Sequence, residues 1–328
     1  MTNPPHAVPL YAAVELGSDS FRLHVASCAG GSVRVVATLS EPIRLGAELD
    51  AHGGIGADTM RRALGCLRRF RGVLDLWQPC AVRVVATAAL RIARNAPAFV
   101  PLAAAAIGHP VDVIGGEEEG RLVYLGVGAA LDGTQEAGQW RLVLDIGSGS
   151  TELVLGHGDR VERVQSFGVG TLRHGLSFFC DGIDPGAFDA ALESSRSRFA
   201  DAGALPGMRG WRRAYGASGG VRALAELADT LLAPAPALDP GRLYALRRAA
   251  IEDGGLARVA AQWPQPGRAV QVAAALAMAV ALVEELGIDQ LVPVQAGLRA
   301  GVIRALHGRS HEQASDAPSG KTAYRDCV

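Results

Sequence analysis

Apolar and polar positions along the first 40 residues predict an antiparallel meander of three strands. Residues 8–15, 21–27 and 33–39 alternate or run apolar and are rich in β-branched side chains, with glycine breaks between them. Such segments are typical of strands joined by tight turns. A charged, Gly-rich loop follows, and from 57 to 76 the apolar residues take the three- and four-residue spacing of a helix.

The remainder of the first half predicts alternating strands and helices. A short apolar strand at 82–86 runs into a helix start at 87–91, and a helix at 97–107, a strand at 111–114 and a helix from 117 follow. Ligands of open α/β sheets bind just outside the carboxyl ends of the strands. Arg91 follows such an end and is therefore a candidate phosphate ligand, with a purely structural role as the alternative.

The second half repeats this order of elements. Strands are predicted at 141–145, 151–156, 161–167, 213–215 and 291–294, and helices from 171, at 185–200, 221–229, 241–250 and 268–286, and from 297. The apolar run 270–283 is shorter than the ~20 residues that a bilayer requires. We therefore interpret it as a buried helix.

The polar, Gly-punctuated run 132–138 between the halves predicts a domain boundary. We predict a first domain at 1–130, completed by the last helix near 297–308, and a second domain at 131–296. Two domains suit a chain of 328 residues, since single cores stop growing at roughly 250–300 residues. The polar tail, 309–328, is predicted to be disordered.

One Gly/Ser hairpin occurs twice, at an offset of 130 residues. Each copy has an apolar strand, an acid, a tip of small residues and a second apolar strand. The acids are Glu15 and Asp145, and the tips are Gly17-Ser18-Asp19-Ser20 and Gly147-Ser148-Gly149-Ser150. Backbone N–H groups and hydroxyls at such tips can bind an anion. Asp145 and Glu152 flank the second tip, and two carboxylates beside a phosphate suit a hard Mg²⁺ ion.

Three consecutive glutamates, Glu117, Glu118 and Glu119, open the helix that starts at 117. Acids in a first helical turn complement the helix dipole, which accounts for one or two of them. Glu119 is followed at once by an apolar-periodic helix, so we expect it to point inward. An inward carboxylate near a phosphate loop is a candidate general base.

Composition limits the remaining function classes. The formal net charge is −1, so no global field draws the protein to nucleic acid or to a membrane, and a polyanion site has to be a local patch. The five cysteines are far apart and form no C-x-x-C, which argues against a disulfide framework or a zinc site. That usage suits a reducing cytosol, and we predict a cytoplasmic protein.

Two β-β-β-α-β-α units, each opened by such a hairpin, resemble the actin-like ATPase and sugar-kinase superfold. Further stretches narrow the resemblance to the exopolyphosphatase/guanosine pentaphosphate phosphohydrolase (Ppx/GppA) family. They are residues 86–95 (ATAALRIARN), 113–122 (VIGGEEEGRL), 145–152 (DIGSGSTE), 216–219 (GASG) and 297–301 (GLRAG). The resemblance runs from about residue 10 to residue 305 and matches the family's short, two-domain form.

The resemblance implies an α/β protein of two actin-like (ribonuclease H-like) domains with the active site in the cleft between them. It implies Glu119 as the general base that activates water, and Mg²⁺ held by Glu15, Asp145 and Glu152. The phosphate-binding residues that it implies are Gly17, Ser18, Asp19, Ser20, Arg22, Arg91, Gly147, Ser148, Gly149 and Ser150. Water would then attack a terminal phosphoryl group of inorganic polyphosphate or guanosine pentaphosphate in line. The family also implies a homodimer.

Several residues depart from the family pattern. Glu15 stands for the usual Asp, Asp19 for Asn, Ser148 for Gly and Gly220 for Thr. Retention of Glu119, Asp145 and Glu152 favours an enzyme. Asp19 favours the alternative of a catalytically weak paralogue that binds polyphosphate or (p)ppGpp as a regulator. A small-molecule kinase of the same superfold is a third hypothesis, disfavoured because the acid-bearing substrate motif is missing.

Overall fold

The computed structural model describes residues 8–315, except 30–31, 51, 135, 137, 201, 203–212, 262 and 264–266. By their contacts these residues form two compact units. Unit 1 contains the residues up to Ile114 together with those from Leu298 onward, and unit 2 contains Gly115–Gly297. Most of the predicted tail, residues 316–328, lies outside the described residues.

Unit 1 is built on one five-stranded sheet. Its elements are β1 (Leu10–Leu16), β2 (Ser20–Ala29), β3 (Ser32–Pro42), α1 (Ala57–Trp77), β4 (Ala81–Ala86), α2 (Ala88–Ile92), α3 (Ala96–Ile107), β5 (Val111–Val113) and α11 (Leu298–Ser315). The strand order is β3-β2-β1-β4-β5. The pairs β1–β2 and β2–β3 are antiparallel, whereas β1–β4 and β4–β5 are parallel.

Unit 2 repeats that sheet. Its elements are α4 (Gly116–Leu131), β6 (Trp140–Ile146), β7 (Thr151–His157), β8 (Arg160–Phe167), α5 (Thr171–Phe179), α6 (Pro185–Phe199), β9 (Arg213–Gly216), α7 (Gly219–Leu231), α8 (Pro240–Arg247), a π turn (Arg248–Glu252), α9 (Gly255–Ala260), α10 (Arg268–Leu286) and β10 (Gln290–Pro293). The strand order, β8-β7-β6-β9-β10, is that of unit 1 with five added to each number. The duplication predicted from the sequence is therefore confirmed.

The central strands β1 and β6 have the same burial pattern, with four consecutive buried residues followed by a half-buried acid. A strand that is covered on both faces reads as a continuous apolar run rather than an alternation. The half-buried acids are Glu15 and Asp145, each one residue before the end of its strand. The sheet therefore presents one carboxylate at the same place in each unit.

Helix α10 forms much of the core of unit 2, since residues 272–283 are all buried. By length and composition alone, α10 is the one helix among the described residues that could cross a membrane. A helix that is apolar all round suits a protein core equally well, and 67% of its most apolar window is buried in the structure. The prediction of a buried helix is confirmed.

Two helix predictions are corrected. The helix expected at 241–250 ends at Arg247, and after the π turn the chain bends at Gly254 (φ 66°) before α9 begins. The periodicity did not predict α9, because six residues are too few to establish a helical spacing. The tail was expected to be disordered from residue 309, but α11 continues to Ser315.

The boundary between the two units lies after Ile114, whereas the polar run 132–138 led us to expect it after residue 130. The difference is helix α4, which belongs to unit 2. Helix α4 packs on the edge strand β8 and on its neighbour β7 in unit 2. Two glycines on one face of α4 permit this close approach. A Cβ at Gly120 would lie 2.7 Å from Val164, and one at Gly116 would overlap the hydroxyl of Ser166.

Candidate functional site

Both predicted hairpin tips are present and are built alike. At the first tip the N–H of Gly17 donates to the carbonyl of Ser20 (3.2 Å), and at the second the N–H of Gly147 donates to that of Ser150 (2.9 Å). Ser20 and Ser150 are buried. The antiparallel pairs β1–β2 and β6–β7 therefore end in the same tight turn.

Main-chain hydrogen bonds fix the first tip within unit 1. The carbonyl of Asp19 accepts from the N–H groups of Ile43 (3.0 Å) and Arg44 (2.6 Å), and the carbonyl of Ser18 accepts from Gly46 (2.8 Å). These bonds fix the backbone of the tip against the loop that follows β3.

The second tip is fixed by the start of α5. The N–H of Thr171 donates to the carbonyl of Gly147 (2.9 Å), and that of Leu172 donates to the carbonyl of Ser148 (3.0 Å). Thr171, the first residue of this helix, is buried. The small residues of the tip thus lie against a helix N-terminus, whose orphan N–H groups they use.

Two carboxylates face each other beside the second tip, and the charge of a third, Glu119, acts on one of them. Asp145 on β6 lies directly opposite Glu152 on β7. Burial, followed by the negative charges of Glu119 and Asp145, raises the pKa of Glu152 well above its usual range, and hydroxyls of Ser150 and Ser166 partly oppose this rise. Like charges that raise one another's proton affinity favour binding a proton or a cation.

Helix α4 brings Glu119 into this group. Glu119 is in the first turn of α4, where its N–H donates to the carbonyl of Gly115 (2.9 Å). It is 8% exposed, whereas the side chain of Glu117 in the same turn is 76% exposed. The prediction that Glu119 points inward is confirmed, while its role as general base stays a prediction.

The acid of the first hairpin has different neighbours. Glu15 lies opposite Arg22 on β2, and its carboxylate forms an ion pair with Arg299 of α11. Burial alone would raise the pKa of Glu15, but Arg299 and then Arg22 outweigh it and hold that pKa below the usual value. In unit 1 the hairpin acid is therefore balanced by arginines.

Arg91 lies in α2, directly after the carboxyl end of β4, as predicted. Its Nη1 donates to the carbonyl of Ile114 (3.0 Å). That bond holds the guanidinium at the end of the parallel strands β4 and β5. The phosphate-binding role of Arg91 stays a prediction.

The residues of unit 2 fit a magnesium ion by their chemistry. Carboxylate oxygens suit a hard cation, and Mg²⁺ is commonly bound by one or two carboxylates together with water and substrate phosphate. Among the described residues, no three His, Cys, Asp or Glu side chains are grouped closely enough to form a complete protein cage. Asp145 and Glu152 fit as the protein's share of such a site. Glu15 does not fit, because Arg299 already holds its carboxylate.

Sequence reasoning missed the roles of two residues. Ser166 on β8 lies opposite Glu152 and donates a 2.9 Å hydrogen bond to its Oε1. Arg299 belongs to the stretch 297–301, which supported the resemblance but did not indicate a partner for Glu15. The strand register would have indicated Ser166, whereas nothing local to Arg299 indicates a contact 284 residues away.

Comparisons with known proteins identify the family and the fold. The model of the Ppx/GppA phosphatase family matches residues 24–309. The crystal structure of the Aquifex aeolicus member of that family is 24% identical, with a TM-score of 0.76 over 92% of this chain and 98% of that one. An exopolyphosphatase from Cytophaga hutchinsonii is 21% identical, with a TM-score of 0.78 over 92% of this chain and 98% of that one.

At these identities the structural likeness establishes the fold, which is the actin-like α/β fold in two copies, as predicted. The family match covers most of the chain and includes α4, the second hairpin and most of α11. The chain therefore belongs to the Ppx/GppA phosphatase family, a family of phosphohydrolases.

Proposed function

We propose that this protein is a Mg²⁺-dependent phosphohydrolase that releases terminal phosphate from inorganic polyphosphate, from guanosine pentaphosphate or from both. The observation that carries the proposal is the group of Glu119, Asp145 and Glu152 beside the tip 147–150, with Glu152 1% exposed. Two buried acids, Glu119 and Glu152, beside the half-buried Asp145 are costly to a fold unless a cation or a proton compensates them. The exopolyphosphatase among the structural neighbours supports the choice of substrate.

The carboxylates of Asp145 and Glu152 would hold the metal. When bound, Mg²⁺ supplies positive charge that polarises a phosphoryl oxygen and neutralises charge that develops on it. The backbone N–H groups and the serine hydroxyls of the second tip would orient the terminal phosphate. Further phosphates of the substrate would bind to the first tip and to Arg22 and Arg91, since arginine recognises phosphate with two parallel hydrogen bonds.

Glu119 would accept a proton from the attacking water. Its place in the first turn of α4 fixes its backbone, and the packing of α4 on β7 and β8 fixes its distance from Glu152. Positioned general bases contribute roughly 10²–10⁴-fold to a rate. Phosphoryl transfer otherwise depends mainly on orientation and on charge stabilisation, which the tips and the metal would supply.

The test is phosphate release by the purified protein from long-chain polyphosphate and from guanosine pentaphosphate, each with Mg²⁺ and with EDTA. The proposal predicts release from at least one of them, abolished by EDTA. p-Nitrophenyl phosphate serves as a control, since a non-specific phosphatase would prefer it. No release from either polyphosphate at saturating Mg²⁺ would contradict the proposal.

A second candidate is a regulatory protein that binds polyphosphate or (p)ppGpp with little turnover. The observation in its favour is Asp19, an anionic residue in the first tip. Binding of polyphosphate at micromolar protein concentration without phosphate release would support this candidate. We also propose that the protein is cytoplasmic and that it forms a homodimer. Sedimentation of the purified protein tests the homodimer.

A further inference from the structure

The duplicated hairpins differ in the residue that lies opposite the acid. In unit 2, Asp145 pairs in register with Glu152, so two carboxylates face each other. In unit 1, Glu15 pairs in register with Arg22, so a carboxylate faces a guanidinium. The same backbone therefore supports an acidic pair in one unit and a neutral pair in the other.

A second arginine completes the surroundings of Glu15. Nη1 of Arg299 contacts Oε2 of Glu15, and Nε of Arg299 donates to Nε2 of His24 (3.1 Å). The side chains of Arg299 and Glu15 are only 17% and 16% exposed. Helix α11, which carries Arg299, packs on β1 and β2, the two strands of the hairpin.

These contacts leave no favourable place for a metal ion at Glu15. Arginine keeps its charge at every accessible pH, so a cation bound to Glu15 would lie beside one guanidinium and opposite another. Displacing Arg299 would leave its charge partly buried without its carboxylate, which is unfavourable. Glutamate is one methylene longer than the usual aspartate, and this length carries the carboxylate to Arg299.

We propose that Arg299 takes the place of a metal ion at the first hairpin, so that of the two hairpins the one in unit 2 provides carboxylates for a metal, whereas arginine holds the carboxylate of the one in unit 1. The unit 2 half of this inference rests on the proposed function. The ion-pair half does not, because it concerns contacts within unit 1. A consequence is that an ion pair, and not a shared metal ion, links α11 to β1.

The test uses the midpoint of thermal unfolding, measured over a Mg²⁺ titration, so that it is independent of activity. Wild type, Glu15→Gln and the unit 1 control Glu41→Gln are expected to give the same Mg²⁺ concentration for half-maximal stabilisation. Asp145→Asn is expected to raise that concentration about tenfold or more, since an amide is a poorer ligand for a hard cation. An equal rise in Glu15→Gln would overturn the proposal.

The ion pair is tested by a double-mutant cycle on the same midpoint without metal. Glu15→Gln and Arg299→Gln should each lower the midpoint, and the double variant should lower it by less than the sum of the two. Additive effects would overturn the proposal.

Two conservative variants keep the test decisive if a glutamine variant does not fold. Glu15→Asp and Arg299→Lys retain the charges but shorten or alter the pair, so both should lower the midpoint and leave the Mg²⁺ titration unchanged. A shifted titration in Glu15→Asp would identify Glu15 as a metal ligand and overturn the proposal. If wild type shows no response to Mg²⁺ while the double-mutant cycle shows coupling, the metal in the proposed function fails and the ion pair stands.

Discussion

The hydroxyl of Ser166 donates a 2.9 Å hydrogen bond to Oε1 of Glu152. Burial and the negative charges of Glu119 and Asp145 raise the pKa of Glu152. Ser166 is thus one of two hydroxyls that favour the ionised form of a carboxylate whose other surroundings disfavour it.

Replacing Ser166 by alanine should therefore reduce both metal binding and turnover. Hydrogen bonds to charged groups contribute about 1.5–3 kcal/mol, so we expect Ser166→Ala to lower the rate about tenfold at limiting Mg²⁺, with a smaller loss at saturating Mg²⁺. Ser32→Ala, on the edge strand β3, is the matched control. A Mg²⁺ titration of Ser166→Ala that overlays the wild type would show that the hydroxyl does not support Glu152.

Asp145→Asn tests the metal role of the acid at the end of β6. The neutral amide keeps the shape but is a poorer ligand for Mg²⁺, so the Mg²⁺ concentration for half-maximal rate should rise about tenfold or more. The exposed Asp181 supplies the control, because Asp181→Asn removes the same charge from unit 2. An unchanged titration in Asp145→Asn would remove Asp145 from the metal site.

Asp19→Asn tests whether the anionic side chain in the first tip opposes substrate. Two like charges about 4 Å apart repel by roughly 4 kcal/mol at an effective dielectric constant of 20. Even if nearby cations screen most of this repulsion, we expect Asp19→Asn to bind polyphosphate about tenfold more tightly than wild type and to have a higher rate at low substrate concentration. Asp58→Asn, an exposed change in the same unit, should alter neither.

An unchanged affinity in Asp19→Asn would show that its carboxylate points away from substrate. A lower rate with a weaker dependence on Mg²⁺ would instead show that Asp19 recruits the metal. Either result would contradict the expectation of a repulsive residue.

His174 on α5 predicts a pH dependence of stability. It is buried and lies 2.9 Å from the hydroxyl of Ser195. Burial is the main reason that its pKa is below the usual value, so the folded state favours the neutral ring. In the unfolded chain the imidazole of His174 takes up a proton near pH 6.5. The stability that the neutral ring contributes to the fold is therefore complete above that pH and is lost as the pH falls below it.

Urea unfolding at pH 7 and at pH 5 measures the pH dependence that His174 is expected to cause. The free energy of unfolding should fall less between these pH values in His174→Gln than in wild type. The exposed His52 gives the control variant His52→Gln, whose pH dependence should match that of wild type. Equal pH dependence in His174→Gln and wild type would show that the ring does not contribute.

The sequence predicted the sheets well because their signals are local. In each hairpin, the apolar run of the first strand and the small residues that follow its acid lie within a dozen positions of each other. A repeat of that pattern also predicts the repeat of the strand order, since equal elements pack in equal ways.

Long-range packing explains what the sequence did not predict. Glycines in α4 assign that helix to unit 2 only because Val164 and Ser166 lie against them. The partner of Glu15 is 284 residues away, on a helix that returns to unit 1 after the whole of unit 2. No local pattern encodes a contact of that kind, so the resemblance implied a metal role for Glu15 where the structure has an ion pair with Arg299.

The central claim is that Glu119 activates water beside the metal carboxylates, and the most direct measurement is the rate of phosphate release from long-chain polyphosphate at saturating Mg²⁺ by Glu119→Gln. The amide keeps the shape and loses the basicity, so turnover should fall about 10²-fold or more while the KM changes little. Glu117→Gln removes the same charge from an exposed position of the same turn and should retain wild-type turnover. Turnover of Glu119→Gln within about twofold of wild type would contradict the account.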